Sequence, residues 1–440
     1  MKNRDSLEGF DFSLFERGER VLAALSGGAD SVCLVHFLAN NQKRLGIKVC
    51  AAHFMHGIRL SEAQKELELV KRLCESLDIE LETGEGDVPS YARENGMGLE
   101  EAARKLRYDF LYSAARRKGA AKIATAHNLS DNSETVLFNL ARGSGLSGLA
   151  GIPRRNGMVI RPMLAVSRGD IEEYDRAHGL EYATDMTNFD DTYSRNRIRL
   201  NVLPQLRMIS PAADRGIAKA SESAFLAEDY LKTSAKAVLE ENQAGGGISL
   251  EGFKASHKAL HVYILRELAE RAGFGGVLEY SHVKAARQLA LRGRVSSFCD
   301  IGMGFRIRVG YGVLVIEKIP QKRHFEQIEL TPGQTVVFGD YEITAGGNRG
   351  TAFEFELLTP PFYVRTRRQG DAIAMPYGSK SMKKYLIDKK IPAEYRDSLP
   401  VICDNSGILL LADLEKDRRR CYKNKGVRFY IECRRRNNDQ

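Results

Sequence analysis

The sequence predicts an α/β protein with a doubly wound parallel sheet, then a mostly helical middle domain and a small, basic α+β C-terminal domain. From Arg20 to about Leu164, short apolar runs alternate with amphipathic segments, a pattern typical of parallel strands joined by crossover helices. Helical spacing dominates from Ala212 to Glu241, and short strand-like runs with Gly/Pro turns follow from about Phe325. We therefore expect domains at residues 1–210, 211–320 and 325–440.

Four strands and two helices can be delimited in the first domain. The strand candidates are Arg20–Leu25, Ile47–Phe54, Ile79–Thr83 and Lys122–His127. Ser61 is expected to cap a helix because Gln64 follows it by three residues, and a second helix is expected over Leu99–Lys118 because Gly119 follows it. Since ligands of such sheets lie at the carboxyl ends of the strands, the site is expected near Ser26 and His127.

The later elements are predicted from breakers and from hydrophobic spacing. Gly245-Gly-Gly247 ends the long helix of the middle domain, and Phe305–Glu317 is strand-like. In the C-terminal domain a basic helix is expected near Ser381–Lys390. The middle domain is thus expected to be helical first and strand-like afterwards.

Composition is that of an ordinary globular protein, with 43% hydrophobic and 28% charged residues. The N-terminus lacks an apolar segment of signal-peptide length and no later run approaches a membrane span, so we expect a cytoplasmic protein without a membrane partner. The seven cysteines are scattered, without a Cys-x-x-Cys pair or metal-ligand spacing. Most of them are therefore expected to be inert thiols.

Positive charge is concentrated at the C-terminal end. Residues 362–440 hold 19 basic and 10 acidic residues, which equals the whole net charge of +9, because the first 361 residues hold 47 of each. This asymmetry favours a polyanionic partner that docks on a surface including Lys383 and Lys384, Lys389 and Lys390, and Arg418 to Arg420. A merely solvated charged face is the alternative.

The segment Ser26-Gly-Gly-Ala-Asp-Ser31 lies between a strand candidate and a helix-like stretch. Glycines let backbone N–H groups approach an anion, and the helix that follows begins with its positive dipole end. The Gly-Lys-Ser/Thr ending of the Walker type is absent, and the segment instead resembles the PP-loop of ATP pyrophosphatases. An ordinary Gly-Gly turn is the alternative. The expected ATP-binding residues are Ser26, Gly27, Gly28, Ala29, Asp30 and Ser31.

A second group of residues follows the fourth strand candidate. Asp131 and Glu134 lie three apart in the first turn of a helix and so share a face, next to His127 at a strand end. Two carboxylates beside a histidine suit a cation or an amine. Helix capping is the alternative, since acidic residues favour a first turn in any case.

Two further groups contain arginine and histidine. Arg104 and Arg107 share a helical face from which guanidinium groups can hold a phosphate, although surface pairing with glutamates explains Arg107 equally well. His53 and His56 lie three apart, but a third and a fourth ligand at the usual spacing are missing. We therefore reject a zinc site there.

Taken together, these motifs resemble those of the tRNA(Ile)-lysidine synthetases (synthases). They include, besides the PP-loop, His-x-x-His-Gly-Ile-Arg, Ala-His-x-x-x-Asp-x-x-Glu-Thr and Arg-Asn-Arg-Ile-Arg. The resemblance runs in order over residues 20–204 and recurs more weakly at Lys383–Pro392. Because Met55, Asn128 and Ser130 depart from the family pattern, no family role is carried over to them.

The resemblance implies a ligase that joins L-lysine to the wobble cytidine of the tRNA(Ile) with a CAU anticodon, through an adenylated cytidine. It implies catalytic roles for Asp30, Arg104 and His127, lysine binding by Asp131 and Glu134, and Mg²⁺ held by Asp30. ATP is the co-substrate, and a homodimer is left open. The tRNA-binding residues expected are His53, Arg59, Arg142, Arg195, Arg197, Lys383, Lys384, Lys389 and Lys390.

Three rival functions are to be compared with the lysidine synthetase interpretation. A PP-loop tRNA thiolase uses the same ATP chemistry, but such enzymes commonly need cysteine pairs that the spacing here does not offer. A small-molecule ligase such as an NAD or GMP synthetase has less need of a basic terminal domain. A non-enzymatic RNA-binding protein has no need of the PP-loop with His127 and Glu134.

Overall fold

The structure is a computed structural model that describes residues 6–55, 60–183, 194–320, 325–375, 378–391 and 395–436, without the side chains of 60–63 and 194. The chain divides into two compact units, Met1–Tyr230 and Leu231–Gln440. The finer division into three domains stays a prediction.

A six-stranded sheet forms the centre of the N-terminal unit. Its strands are β1 (Arg20–Ala24), β2 (Lys48–Met55), β3 (Leu81–Glu85), β4 (Lys122–Ala124), β5 (Arg155–Asn156) and β6 (Val159–Ile160). Their spatial order is β3-β2-β1-β4-β6-β5, and only β5 and β6 pair in antiparallel fashion among these described strands. The chain winds outward from β1 in both directions, which confirms the predicted doubly wound sheet.

Helices surround this sheet. They are α1 (Ala29–Asn40), α2 (Gln42–Leu45), α3 (Leu60–Ser76), α4 (Val88–Asn95), α5 (Leu99–Lys118), α6 (Leu129–Ala141), α7 (Leu146–Leu149), α8 (Arg168–Ala177), α9 (Ser194–Arg197), α10 (Leu203–Ile209) and α11 (Ala213–Glu241). The bounds of α5 are those predicted, and Gly119 ends it with a φ of +62°. The expected cap of α3 is wrong, because the helix begins at Leu60 and Ser61 lies inside its first turn.

Residues of β1 pack alternately on the two faces of the sheet. Val21 belongs to a buried cluster with Leu34 of α1 and Ile171 of α8. Leu22 packs on the other face, in a cluster that includes Leu111 of α5. Because helices cover both faces, the central strands consist mostly of apolar residues. The parallel register places Ala23 beside Ala124, so the carboxyl ends of β1 and β4 are neighbours.

The C-terminal unit contains the end of α11 and four further helices, α12 (Leu250–Ala255), α13 (His261–Arg271), α14 (Tyr280–Arg292) and α15 (Met382–Asp388). Its first strands are β7 (Gln243–Ala244), β8 (Gly247–Ser249), β9 (Phe298–Gly302), β10 (Phe305–Val309) and β11 (Val313–Lys318), arranged β7-β8-β11-β10-β9. The predicted strand-like region is the antiparallel pair of β10 and β11, and it follows three helices as expected.

The remaining strands belong to the predicted α+β region. They are β12 (Ile328–Leu330), β13 (Thr335–Phe338), β14 (Tyr341–Gly347), β15 (Thr351–Glu354), β16 (Phe362–Arg365), β17 (Ala372–Met375), β18 (Gly378–Ser381), β19 (Val401–Asp404), β20 (Gly407–Leu411), β21 (Glu415–Lys416) and β22 (Arg428–Arg435). They form three sheets, β12-β16-β19-β20-β21, β13-β14-β22-β15 and β17-β18. The predicted basic helix is α15.

Within the described ranges, no helix combines the length and the apolar character needed to cross a membrane. The seven cysteines are free thiols, and four of them are buried. Burial raises the pKa of the Cys50 thiol to about 11 and that of the Cys74 thiol to about 12. Little of the reactive thiolate therefore forms at these two positions near neutral pH.

Candidate active site

The turn between β1 and α1 is built around the hydroxyl of Ser31. This buried Oγ accepts a hydrogen bond from the Ser26 N–H at 3.1 Å and donates one to the Gly28 carbonyl at 2.9 Å. Gly27 takes a φ of +91°, which a residue with a Cβ rarely adopts, and Gly28 is the N-cap of α1. The first N–H groups of α1 have no partner within the helix, so this turn suits an anion.

Asp30, in the first turn of α1, connects the turn to two other segments. Its Oδ1 accepts a hydrogen bond from Asn128 Nδ2 at 3.2 Å, and Arg168 Nη1 lies 2.9 Å from Oδ1 and 2.8 Å from Oδ2. Burial raises the pKa of the Asp30 carboxyl, although Arg168 and Asn128 both act to lower it. The sequence interpretation assigned no role to Asn128 or Arg168.

Asp131 and Glu134 lie in the first two turns of α6, where Asn128 is the N-cap. Asp131 Oδ2 accepts a hydrogen bond from the Asn128 N–H at 3.0 Å, while Asn128 Oδ1 accepts one from the Asp131 N–H at 3.1 Å. Helix capping, the alternative weighed for these acids, therefore does apply to Asp131. The capping hydrogen bond engages one oxygen of the Asp131 carboxylate and does not neutralise its charge.

Glu134 is paired with Arg199, a residue that the sequence interpretation missed. Arg199 Nε lies 2.6 Å from Glu134 Oε1 and its Nη2 lies 3.0 Å from Oε2, so the pair is bidentate. The same Nη2 lies 3.6 Å from Asp131 Oδ1. Arg199 belongs to a π-helical turn, Ile198–Val202, and such turns are frequent at functional sites.

Two arginines, Arg168 and Arg199, form ion pairs with the acidic group of Asp30, Asp131 and Glu134. Arg207 also acts on Glu134 through its charge, but it forms its ion pair with Asp214. Burial and the negative charges of Asp30 and Glu134 raise the pKa of the Asp131 carboxyl to about 6, against the opposing effects of the Asn128 N–H and Arg199. With three carboxylates against two guanidinium groups, the arrangement suits an additional cation.

His127 lies three residues after the end of β4, which is shorter than the predicted Lys122–His127, and its environment is strongly basic. Its Nδ1 is 3.0 Å from Thr125 Oγ1. Burial, together with the positive charges of four arginines, lowers the pKa of His127 to about 3; the four are Arg161, Arg107, Arg104 and Arg195. The imidazole is therefore neutral at neutral pH and acts as a hydrogen-bonding group.

Arg104 and Arg107 both lie close to the ring of Tyr108. Their guanidinium carbons lie 5.0 Å and 5.6 Å from the centroid of the Tyr108 ring. Burial lowers the pKa of Arg107, and Arg104 contributes to the lowering. Arg107 is half-buried and Arg104 is exposed. The two roles, phosphate binding and surface pairing, stay predictions for both arginines.

Three of the arginines expected to bind tRNA are exposed. They are Arg142, Arg195 and Arg197. The first two flank Phe138, with guanidinium carbons 5.2 Å and 5.8 Å from the ring centroid. Arg59 lies outside the described residues.

His53 corrects the expectation of a tRNA contact. Only 1% of this residue is exposed, and its Nδ1 lies 2.8 Å from the Leu25 carbonyl oxygen. It is buried because β2 is an interior strand between β1 and β3. His53 thus supports the end of β1, immediately before Ser26, and has no surface to offer to a nucleic acid.

In the C-terminal unit the basic residues divide into two kinds. Four lysines expected to bind tRNA are exposed, namely Lys383, Lys384, Lys389 and Lys390. Met382 and Tyr385, on the other face of α15, are buried in the core. Arg418 and Arg419 are also exposed, but Arg420 is 14% exposed and pairs with Asp404 and Asp417. Arg420 is therefore a structural residue, and including it in the docking surface was wrong.

Comparison with known proteins identifies the family. A family model described as a PP-loop domain matches residues 6–206, and one described as a TilS substrate C-terminal domain matches residues 362–433. The tRNA(Ile)-lysidine synthase of Clostridioides difficile (strain 630) is 33% identical over 425 residues, which cover 91% of this chain and 92% of the relative. The chain belongs to the tRNA(Ile)-lysidine synthase family. The resemblance found in the sequence is thereby confirmed.

A second tRNA(Ile)-lysidine synthase, from Geobacillus kaustophilus (strain HTA426), is 33% identical over 444 residues. The alignment covers 95% of this chain and 95% of the relative. Among solved structures, the U34-tRNA thiolase NcsA from Methanococcus maripaludis is 17% identical, with a TM-score of 0.43 over 49% of this chain and 75% of that chain. This likeness is too low to carry an argument. Membership of the lysidine synthase family therefore decides against the thiolase alternative.

All the acidic and basic groups of the candidate site lie within the part of the lysidine synthase chain that matches the PP-loop domain. Because the matched domain includes Ser26–Ser31, it favours a PP-loop over an ordinary Gly-Gly turn there, and the assignment of these residues stays a prediction. The PP-loop match supports the use of ATP by this chain.

Proposed function

We propose that this chain ligates L-lysine to the wobble cytidine of the tRNA(Ile) with a CAU anticodon, using ATP. In the first step the cytidine carbonyl oxygen attacks the α-phosphate of ATP and pyrophosphate leaves. In the second step the ε-amine of lysine attacks the adjacent ring carbon, AMP leaves with the oxygen, and the amine gives up a proton. The products are lysidine, AMP and pyrophosphate.

The observation that carries this proposal is the direct link between the PP-loop and the acidic group. Asn128 donates a hydrogen bond to Asp30 and, through its backbone and its amide oxygen, also holds Asp131. A nucleotide at the turn and an amine at the carboxylates would therefore be held close together, which is what ligation between an activated carbon and an amine requires. Family membership supports the same pairing of substrates.

The basic residues have matching roles in this proposal. Arg104 and a neutral His127 would stabilise the charge that develops at the α-phosphate, one through its positive charge and the other through a hydrogen bond. Asp131 and Glu134 would bind the ε-ammonium group of lysine. For Glu134, this binding requires that Arg199 share or release the carboxylate.

Mg²⁺ is proposed as a partner of ATP, with Asp30 as its protein ligand. The excess of carboxylates over arginines fits a cation at this place. Within the described ranges, no three His, Cys, Asp or Glu side chains form a metal-binding group. Mg²⁺ commonly takes only one or two carboxylates and completes its shell with phosphates and water, so a single ligand is adequate. The ion would neutralise phosphate charge.

The proposal is tested with purified protein, labelled lysine and labelled ATP. We expect lysine to enter tRNA only when ATP is present, and the nucleotide product to be AMP and not ADP. A tRNA transcript in which the wobble cytidine is replaced by uridine serves as the matched control. Formation of ADP, or equal labelling of the control transcript, would contradict the proposal.

The pH dependence of lysine binding should depend on Asp131. Because its pKa is raised to about 6, this carboxyl gains a proton as the pH falls through that value and then no longer attracts an ammonium group. We therefore expect the KM for lysine to rise as the pH is lowered from about 7.5 to about 5.5. In the Asp131→Asn variant the KM should be higher throughout and should lose this dependence. An unchanged pH profile in that variant would assign the titration to another group.

A further inference from the structure

Arg168 forms an ion pair with Asp30, the carboxylate that is proposed to bind the metal. A single nitrogen, Nη1, lies within 2.9 Å of both oxygens of Asp30, while Nε lies 3.0 Å from Glu172 Oε1 one turn along α8. The Asp30 Oδ1 atom also accepts the hydrogen bond from Asn128. Both carboxylate oxygens of Asp30 are thus engaged by the chain itself.

Arg168 also has space into which it can move. Its side chain is 46% exposed and lines a cavity of about 490 Å³. Ser130, Ser167, Arg207 and Asp214 also line this cavity. The guanidinium is planar and moves as one unit, so a turn of Nη1 away from Asp30 also reorients the Nε–H that donates to Glu172. The Glu172 side chain is itself exposed and can move with it.

A guanidinium and a divalent cation compete for the same carboxylate. Both are positively charged, and a cation coordinated by Asp30 would lie close to Arg168 Nη1, where like charges repel. Binding of the metal without any compensating anion is therefore opposed by Arg168. A triphosphate at the turn supplies such an anion, since it attracts the guanidinium and the metal together.

We propose that Arg168 is a positioning residue that makes divalent-cation binding at Asp30 depend on nucleotide. Without nucleotide it holds Asp30 in place and neutralises it. When the triphosphate binds at the Ser26–Ser31 turn, Arg168 pairs with the phosphates and no longer with Asp30. The Asp30 carboxylate can then coordinate the cation. The inference rests on the proposed function, because it takes Asp30 as the metal ligand.

The test measures Mn²⁺ binding by electron paramagnetic resonance, with and without α,β-methylene-ATP and in the absence of tRNA and lysine. In the Arg168→Gln variant we expect the Mn²⁺ affinity without nucleotide to rise by a factor of about 1.4 to 5, the range for a partly exposed charged pair. The factor by which the nucleotide raises Mn²⁺ affinity should fall correspondingly. A purely structural Arg168 would have the opposite signature, since loosening Asp30 weakens metal binding.

Arg207→Gln is the matched control. Arg207 lines the same cavity, is 40% exposed and pairs with an aspartate, Asp214, at 2.7 Å. Its replacement should leave the coupling between nucleotide and Mn²⁺ as in the unaltered protein. Unchanged coupling in Arg168→Gln, or weaker Mn²⁺ binding without nucleotide, would overturn the inference.

Arg168→Lys provides a second variant in case the glutamine protein does not fold. Its ammonium group is a compact point charge without the planar fork of arginine, so we expect a smaller change in the same direction. The outcome is separable from that of the proposed function. A protein that labels tRNA with lysine but shows no change of coupling in either variant retains its function and loses only this role for Arg168.

Discussion

Glu134→Gln is expected to lower kcat/KM for lysine about ten- to a hundredfold. The affinity for ATP should stay close to that of the unaltered protein. The variant keeps the size of the side chain but removes the negative charge that is proposed to hold the ammonium group. Loss of a charge-assisted hydrogen bond costs about 1.5–3 kcal/mol, which corresponds to that range of rates. Labelled-lysine incorporation gives kcat and KM for lysine, and equilibrium dialysis gives the ATP affinity.

The bidentate pair with Arg199 requires a control for this result. If Glu134 served only to hold Arg199, Arg199→Gln would be as damaging and the double variant no worse than either single one. In our assignment, Glu134→Gln raises the KM for lysine more than Arg199→Gln does. Adenylation of tRNA without lysine should persist in Glu134→Gln, and its collapse would show that the carboxylate serves the nucleotide step.

Removing two lysines of α15 is expected to weaken tRNA binding and to flatten its dependence on salt. Contacts to phosphates release counterions, so each lost contact should reduce the slope of log affinity against log salt by about 0.7–0.9. The variant Lys383→Gln with Lys384→Gln should thus lose about 1.5 from the slope. Adding Lys389→Gln and Lys390→Asn should double the loss; asparagine suits the second position because Lys390 has a φ of +56°.

The control for this experiment is a second pair of exposed lysines in the N-terminal unit. Lys43 lies on α2 and Lys48 lies at the amino end of β2. The candidate site lies at the opposite, carboxyl ends of the strands. Their replacement by glutamine removes the same charge and should leave the slope unchanged. Equal slopes for the two double variants would show that α15 contributes only general charge.

Point variants are needed because the basic end of the chain cannot be removed cleanly. β22 pairs with β14 and β15, and β16 pairs with β12. Deleting residues 362–440 would therefore expose the edges and the buried face of strands that remain, and the protein left would not be a folded control.

The secondary structure that positions the site was largely predictable. The apolar runs of β1, β2 and β4 result from burial on both faces, and this burial is visible in the sequence as an uninterrupted run between turn residues. Gly27 and Gly28 likewise identify the turn locally. The end of β2 was different, because the sequence alone does not show that neighbouring strands cover the polar His53.

The arginines that complete the site were not predictable in the same way. Arg168 is 138 residues away from Asp30, and Arg199 is 65 residues away from Glu134. Neither arginine has a spacing relative to its partner that a local pattern could reveal. Asn128 had a local signal, since it precedes an acidic first turn of a helix, but its link to Asp30 depends on β1 and β4 being neighbours.

What the sequence by itself determined is the class of the fold, the phosphate-binding turn and the set of carboxylates in the first turns of α6. These follow from periodicity, glycine and capping preferences, which act over a few residues. Tertiary structure alone decided which charges meet: Arg168 with Asp30, Arg199 with Glu134, and Arg420 with Asp404 and Asp417. The physical reason is that ion pairs between distant segments depend on the packing of whole helices and strands, whereas turns and caps depend on their own neighbours in the chain.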